Sequence, residues 1–487
     1  MKISLYSEAG SNRLSSIVYL YHSDEALEKL SNSAYESAKI LTPKGGKLAK
    51  TQQIDGDKVI RRWYLKIEKE LSYDSVEEAL ENIITSCKEE GLSEVALAIG
   101  CELADFTPGI YKKLSLANDG FTHYITSGMS PENKPAEKPA ELNISLNLGE
   151  GFELDTENKK LEQAKIIAEG ISLARRLVNE PANVMTPDNL ANEAKKHGEE
   201  AGFGVKVYDE KQILDMNLHA FYSVAKGSDT PPRFIVMEYN NAPDSDKKLA
   251  LVGKGLMYDS GGYAIKPGDS MYTMFCDMAG AAAVIGAMYV LAKSGIKANV
   301  YGIVAACENM VSGHAYRNGD IIPSHAGKYI EIINTDAEGR LTLADAISYA
   351  TSTLNADAVI DIATLTGAAL IALGDEITAL LGDDEKLCEI LSTSAEKSGD
   401  KIWRLPAYDC IAKNNKSERA DIKNSGGRLA GTAIGALFCR AFAHGKPWAH
   451  LDIAGTAYHE KPSAKAPLGA TGVGVEMLAR AAEAYFK

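Results

Sequence analysis

At 487 residues, with 45% apolar and 24% charged content, the chain is long enough for two or three globular domains with sizeable cores. A formal net charge of −14 argues against general nucleic-acid or anionic-membrane binding. The seven cysteines are scattered, with no Cys-x-x-Cys pair, so they are expected as free, mostly buried thiols of a reducing compartment.

Residues 1 to 16 show neither an apolar signal core nor an Arg-rich amphipathic pattern, and a cytoplasmic location is expected. Lys2–Tyr6 and Ile17–Tyr21 read as strands, Glu25–Ile40 and Ser75–Glu89 as helices, and Val95–Gly100 as a buried strand. Ser130–Pro139 is polar with three prolines and reads as a loop or linker. This makes residues 1–155 an N-terminal α/β domain, with no catalytic constellation of its own. In Glu157–Val178, Leu161, Ala164, Ala168, Ile171 and Val178 form an apolar stripe, so residues 156–178 are expected as a connecting helix.

Residues 179–487 alternate strand and helix. Expected strands are Phe234–Tyr239, Leu249–Val252, Ala298–Ala305, Tyr329–Ile333, Ala358–Ala363 and His450–Ile453. Expected helices are Asp277–Lys293, Leu341–Leu354, Asp384–Ser398 and Thr432–Ala443. The fold class is therefore α/β: a small N-terminal α/β domain and a larger C-terminal one, its mainly parallel central sheet covered by helices. The near-apolar run Ala279–Ala292 is too short to cross a bilayer and reads as a buried helix.

Two stretches carry chemistry. Asn334–Leu341 reads Asn-Thr-Asp-Ala-Glu-Gly-Arg-Leu, an octet expected as a strand-to-helix turn, where open α/β sheets bind ligands. Leu249–Val252 runs into a glycine-rich segment that holds Lys254 and Asp259, with Lys266 seven residues on. Asp277 then opens a helix, where an ordinary N-cap is the plainer reading. Four carboxylates, Asp259, Asp277, Asp336 and Glu338, cannot crowd together without protons or cations to balance them. Two divalent ions would supply four positive charges and turn a bridging water into hydroxide near neutral pH. Oxygen-rich ligation suits Mn²⁺ or Mg²⁺, and Zn²⁺ stays open. A lysine could join as ligand only when neutral. His314, His325 and His450 lie nearest these loops and are read as structural. The P-loop spacing, a Gly-x-Ser-x-Gly elbow and a dinucleotide-binding Gly-x-Gly-x-x-Gly are all absent.

These residues resemble the leucyl aminopeptidases, the cytosolic dimetal family that includes bacterial aminopeptidase A. The resemblance rests on the octet, on Val252–Gly255, Asp259–Gly262, Lys266-Pro267 and Asp277-Met278, and on Ala363–Ala368. Leu177–Pro187, Ala420–Gly427 and Pro447–Ala457 extend it over roughly residues 157–487. It implies a metal-dependent aminopeptidase that removes unblocked, preferably Leu- or Met-like residues from peptides or aminoacyl amides by a metal-bridging hydroxide. Lys254, Asp259, Asp277 and Glu338 would hold one ion; Asp259, Asp336 and Glu338 would hold the other. Lys266 and Arg340 would be the catalytic pair, with bicarbonate near Arg340. Met274, Asn334, Thr364, Gly367 and Ala454 would meet substrate. The metals implied are two divalent ions per subunit, Mn²⁺ or Zn²⁺, with Mg²⁺ or Co²⁺ as further candidates. The assembly implied is a homo-hexamer, a dimer of trimers, with no membrane partner. The chain departs from the family pattern at Phe275, Tyr258, Tyr263, Ala264 and Asn318. Two rival readings are a DNA-binding regulatory role and a dimetal hydrolase of Cys-Gly or another substrate.

Overall fold

A computed structural model describes residues 3–6, 16–25, 27, 49–55, 58–67, 70–121, 124, 141–148, 152–461 and 468–487. Most of the expected helix 25–40 and the proline-rich stretch 130–139 lie outside the described residues. The chain divides into two compact units, with the boundary between Ala168 and Glu169. The helix Leu154–Asn179 runs through that boundary.

The first unit is built on a six-stranded sheet. Its strands are β1 (Ile3–Tyr6), β2 (Ser16–Tyr21), β3 (Ala49–Asp55), β4 (Lys58–Lys66), β5 (Glu94–Ile99) and β6 (Asn143–Leu148), in the order β1-β6-β5-β2-β4-β3. All neighbours are parallel except β3 and β4. One face carries Val18, Leu20, Trp63, Leu65, Leu97 and Leu146, which pack on Leu80 and Ile83 of the helix Tyr73–Glu89 and on Ile110 of the helix Thr107–Ser115. The longer helix starts cleanly because Ser72 and Ser75 form a reciprocal capping box.

The second unit holds an eight-stranded sheet. It comprises β7 (Gly204–Tyr208), β8 (Arg233–Asn240), β9 (Leu249–Asp259), β10 (Asn299–Asn309), β13 (Ala358–Ala363), β14 (Thr378–Gly382), β15 (Ile402–Arg404) and β17 (Trp448–Asp452). The order is β15-β14-β17-β13-β9-β10-β8-β7, and the central strands β17, β13, β9 and β10 are mutually parallel. Antiparallel pairs occur only toward its two edges. The helix Ala279–Lys293 is buried from Ala279 to Leu291. It approaches the sheet at glycines: a Cβ on Gly280 would stand 2.1 Å from the Ile362 carbonyl oxygen, and one on Gly253 2.5 Å from that of Gly280. Only glycine permits backbones this close. Counted with the turns before it, the helical stretch Gly268–Lys293 is long and apolar enough to cross a membrane, but 89% of that window is buried inside the protein.

Three expectations need correction. The strand before the octet, β12 (Tyr329–Glu331), does not join the main sheet. It lies between β11 (Ile321–Pro323) and β16 (Ile422–Lys423) in a separate three-stranded sheet, antiparallel to its near neighbour β11 and parallel to β16 from far along the chain, and the short lengths of all three keep this sheet small. The strand starting at Leu249 does not stop at Val252 but continues through both glycines to Asp259. Asp277 does not cap a helix; it follows the 3₁₀ turn Met274–Cys276, and the next helix starts at Ala279 with no side-chain cap.

Candidate metal centre

The centre forms where the end of β9, the octet, the 3₁₀ turn and the loop after β13 meet. Lys254 lies within β9 and Asp259 ends it, five residues later. In a regular strand this spacing would aim the two side chains to opposite faces. The β9–β10 register slips here: Leu256 opposes Cys307, but Tyr258 opposes Glu308. Met257 is therefore an extra residue, a bulge that restores both side chains to one side.

Two lysine–carboxylate clusters result. In the first, Lys254 Nζ lies 2.7 Å from Asp277 Oδ2 and 3.0 Å from Glu338 Oε1. It also donates to Asp277 Oδ1 and to the Thr364 carbonyl, both at 2.8 Å. In the second, Lys266 Nζ lies 2.9 Å from Asp259 Oδ2 and 2.6 Å from Asp336 Oδ1. Gly339 begins the helix that follows Glu338, and a Cβ there would run into Lys254 Cε, so a larger residue would force the Lys254 side chain out of its place.

The electrostatics follow from burial. Burial, with Glu338 and Asp277 beside it, pushes the Asp259 carboxyl up to about 8. Burial likewise pushes Asp277 up to about 6, against the pull of Lys254. Asp336 is raised by burial and by Glu338. Glu338 is lowered, because Lys254 and Lys266 outweigh its own desolvation. Both lysines are raised: burial opposes their charge, but the surrounding carboxylates win.

One carboxylate oxygen each from Asp259, Asp336 and Glu338 lie within 4.8 Å of one another. Glu338 Oε2 is buried and accepts no hydrogen bond. Asp277 Oδ2 and Asp336 Oδ1, though at ion-pair distance from lysines, also receive no aligned donor. With all four carboxylates ionised, two ammonium groups would leave two negative charges in a largely buried site; protons, as the raised Asp259 shows, or cations must offset them. The carboxylate oxygens fit divalent cations, and Lys254 would join them as a ligand only on losing its proton to make way for an ion.

The remaining predicted residues group around this centre. Arg340 is buried; Nη1 donates to the Asn424 carbonyl at 2.8 Å, and Nε has no hydrogen-bond partner. No ion pair joins Arg340 to the four carboxylates among the described residues. Asn334 holds the octet's shape: Oδ1 accepts from the Asp336 amide at 2.9 Å, and its carbonyl accepts from Asn424 Nδ2 at 2.6 Å. Thr364 Oγ1 donates to Asp277 Oδ1 at 2.7 Å. Gly367 starts the helix Gly367–Leu373, and a Cβ on it would face open space. Met274 sits in the 3₁₀ turn, and Ala454 is half-buried with its amide donating to Asp452 Oδ1. Of the departures, Phe275 packs edge-on against Tyr458, Tyr263 donates to the Ser312 carbonyl, and Asn318 Oδ1 accepts from the Thr335 amide in the octet. Tyr258 donates weakly to the Met271 carbonyl at 3.4 Å, and the Ala264 amide donates to Thr335 Oγ1 at 2.8 Å.

Reading the sequence residue by residue missed three buried side chains. Asn424 accepts from the Ile333 and Asn334 amides and donates to the Asn334 and Ala337 carbonyls. Asp452 accepts from Leu365 and Thr366 amides, the Thr366 hydroxyl and the Ala454 amide, so it ties together the two loops that carry Thr364 and Ala454. Asn309 donates to Asp259. Asn424 and Asp452 sit in matched motifs, which was the signal available; Asn309 closes a strand and had none.

An α/β sheet with acidic residues and lysines gathered at strand ends, three of the carboxylates converging on one small volume, is the frame of a metal-dependent enzyme. The family model for "Cytosol aminopeptidase family, catalytic domain" matches residues 172–479. A relative from Clostridium perfringens, described as a probable cytosol aminopeptidase, is 50% identical over 327 residues, 67% of this chain and 66% of that protein. One from Treponema denticola with the same description is 43% identical over 433 residues, 88% of this chain and 86% of that protein. Among solved structures, the bottromycin maturation enzyme BotP in complex with Mn superposes with a TM-score of 0.83 at 28% identity, covering 97% of this chain and all of that one. The chain belongs to the cytosol aminopeptidase family, whose members are metallo-exopeptidases.

Proposed function

We propose that the chain is a cytoplasmic aminopeptidase that takes short peptides and aminoacyl amides with a free N-terminus and prefers bulky apolar first residues. The observation that carries this is the convergence of Asp259, Asp336 and Glu338 on one small volume beside Lys254 and Lys266. In this reading Lys254, Asp259, Asp277 and Glu338 hold one divalent ion, and Asp259, Asp336 and Glu338 the other. Mn²⁺ or Zn²⁺ are the ions favoured, and manganese accompanies the BotP neighbour. When bound, they supply Lewis acidity and an activated water near neutral pH.

The chain's own residues do the rest. Lys266, kept protonated by Asp259, Glu338 and Asp336, donates to the oxyanion that develops on the scissile carbonyl. Arg340 cannot serve as a base, since its guanidinium stays charged. With Nε buried and unpaired, it is suited to hold a small planar anion such as bicarbonate, which can carry a proton. Thr364 steadies Asp277, and Met274, Asn334, Gly367 and Ala454 border the pocket for the first side chain. The N-terminal unit and a homo-hexameric assembly would govern access rather than chemistry.

The test is hydrolysis of leucinamide against N-acetyl-leucinamide in Mn²⁺, in Zn²⁺ and after chelation, on protein of measured oligomeric mass. Cleavage of the free-amine substrate alone, lost on chelation and restored by metal, is expected. Equal cleavage of both substrates, or activity indifferent to chelation, would overturn the reading.

A further inference from the structure

Asn309 closes β10 and takes no part in the ligand set above. It is fully buried. In the β9–β10 register its Cα stands opposite that of Asp259. Its Nδ2 donates to Asp259 Oδ1 at 2.8 Å and to the Thr335 carbonyl at 3.1 Å. One carboxamide thus ties the end of a main-sheet strand to the octet. These segments are distant in sequence, and they carry Asp259 on one side and Asp336 and Glu338 on the other.

The main chain holds Asn309 in place. Its carbonyl accepts from the Ser260 amide at 3.0 Å and from Ser260 Oγ at 2.8 Å. Its Oδ1 is buried without a hydrogen-bond partner, and a Cβ on Gly262 would stand 3.1 Å from it. A buried acceptor without a partner is costly, so the position carries an amide for what its nitrogen does. An aspartate here would offer no donor and would add a fifth carboxylate to the cluster. Asp259 Oδ1 also accepts from the Gly261 amide at 2.8 Å; the two donors together occupy that oxygen and leave Oδ2 to Lys266, 2.9 Å away.

We infer that Asn309 is a positioning residue of the centre: by bridging Asp259 and the octet it sets the spacing between Asp259 and the octet carboxylates, and it shares with the Gly261 amide the task of holding the Asp259 carboxylate in one orientation toward the divalent ions. This rests on the metal reading above. Hydrogen-bond partners of metal ligands typically change metal affinity by about 10- to 100-fold when removed.

The test is calorimetric titration of the chelator-treated full-length chain with Mn²⁺, alongside its melting temperature before addition. The variants are Asn309→Leu, which keeps volume, Asn309→Ala, which leaves room for water, and Tyr316→Phe. Tyr316 donates to the same Thr335 carbonyl at 2.7 Å but does not touch Asp259. The expected result is manganese binding about 10- to 100-fold weaker in whichever Asn309 variants fold, and within about threefold of the parent in Tyr316→Phe. Equal weakening in Tyr316→Phe would show that holding Thr335 is the whole effect and would overturn the proposal. So would a folded Asn309 variant with parental affinity. A parent chain that takes up no manganese or zinc would overturn the metal reading together with this one, whereas tight parental binding with unmoved variants overturns this one alone.

Discussion

The two lysine–carboxylate clusters of the centre use the same chemistry in different surroundings. Around Lys254, the lysine, Asp277 and Glu338 side chains are 3%, 6% and 2% exposed; around Lys266, Asp259 is 2% exposed but the lysine is 16% and Asp336 33% exposed. Identical charges interact far more strongly where water is excluded, and they cost more when left alone there. The inner cluster is therefore part of the core as well as of the site. The outer one is free to meet solvent and substrate. Burial, not residue type, divides the work.

The largest effect should come from a residue shared by both proposed ligand sets. Glu338→Ala should abolish turnover of leucinamide and lower the bound metal measured per chain; Asp336→Ala should abolish turnover as well. Near-parental activity in either would remove that residue from the reading. The sharpest test of the contrast is a pair of variants, Lys254→Met and Lys266→Met. Removing one partner of a buried ion pair costs roughly 3–5 kcal/mol, solvent-exposed pairs contribute about 0–1 kcal/mol, and the Lys266–Asp336 pair stands between the two. Chelated protein should thus melt much lower in the first than in the second, and equal losses would break the comparison.

Lys266→Ala should instead lower kcat by roughly 10²–10³ with little change in melting temperature. Gly339→Ala changes no charge. It drives a methyl group into Lys254 and should cost about 1–3 kcal/mol in denaturant unfolding, with the inner cluster disturbed first. The smallest effect concerns His450, buried on β17 with Nδ1 2.5 Å from Asp361 Oδ1 of the neighbouring β13. Burial opposes its charge, but Asp361 wins and holds its pKa above the ordinary value. The stability it contributes is full below the unfolded histidine value of about 6.5 and is lost as pH rises through the folded value. The melting temperature of the parent should fall over that window, and His450→Leu should flatten the fall.

The metal-ligand candidates and the lysines were legible because charges among glycines at a strand end are conspicuous. What places them was less so. The spacing of Lys254 and Asp259 carries no visible sign of the bulge at Met257, since an extra apolar residue in an apolar strand leaves no mark. β12 reads as a strand by its alternation, but nothing in three residues says which sheet it joins. Asn309 and Asn424 look like turn residues, and their importance lies in partners far away in sequence. In the N-terminal unit, β3, β4 and β6 were missed: polar residues interrupt their apolar runs, and their pairing, not their pattern, makes them strands.

The bulge at Met257 also makes the centre sensitive to counting. Every polar residue of the site would survive the loss of that one codon, in the same order and with the same neighbours, yet Asp259 would turn away from Lys254. Parity, rather than composition, is what β9 contributes, so substitutions at 257 that stay apolar should be tolerated where a deletion of one residue is not. In this strand an insertion or deletion would silence the site as completely as the loss of a ligand, while a comparison of residue identities alone would show nothing missing.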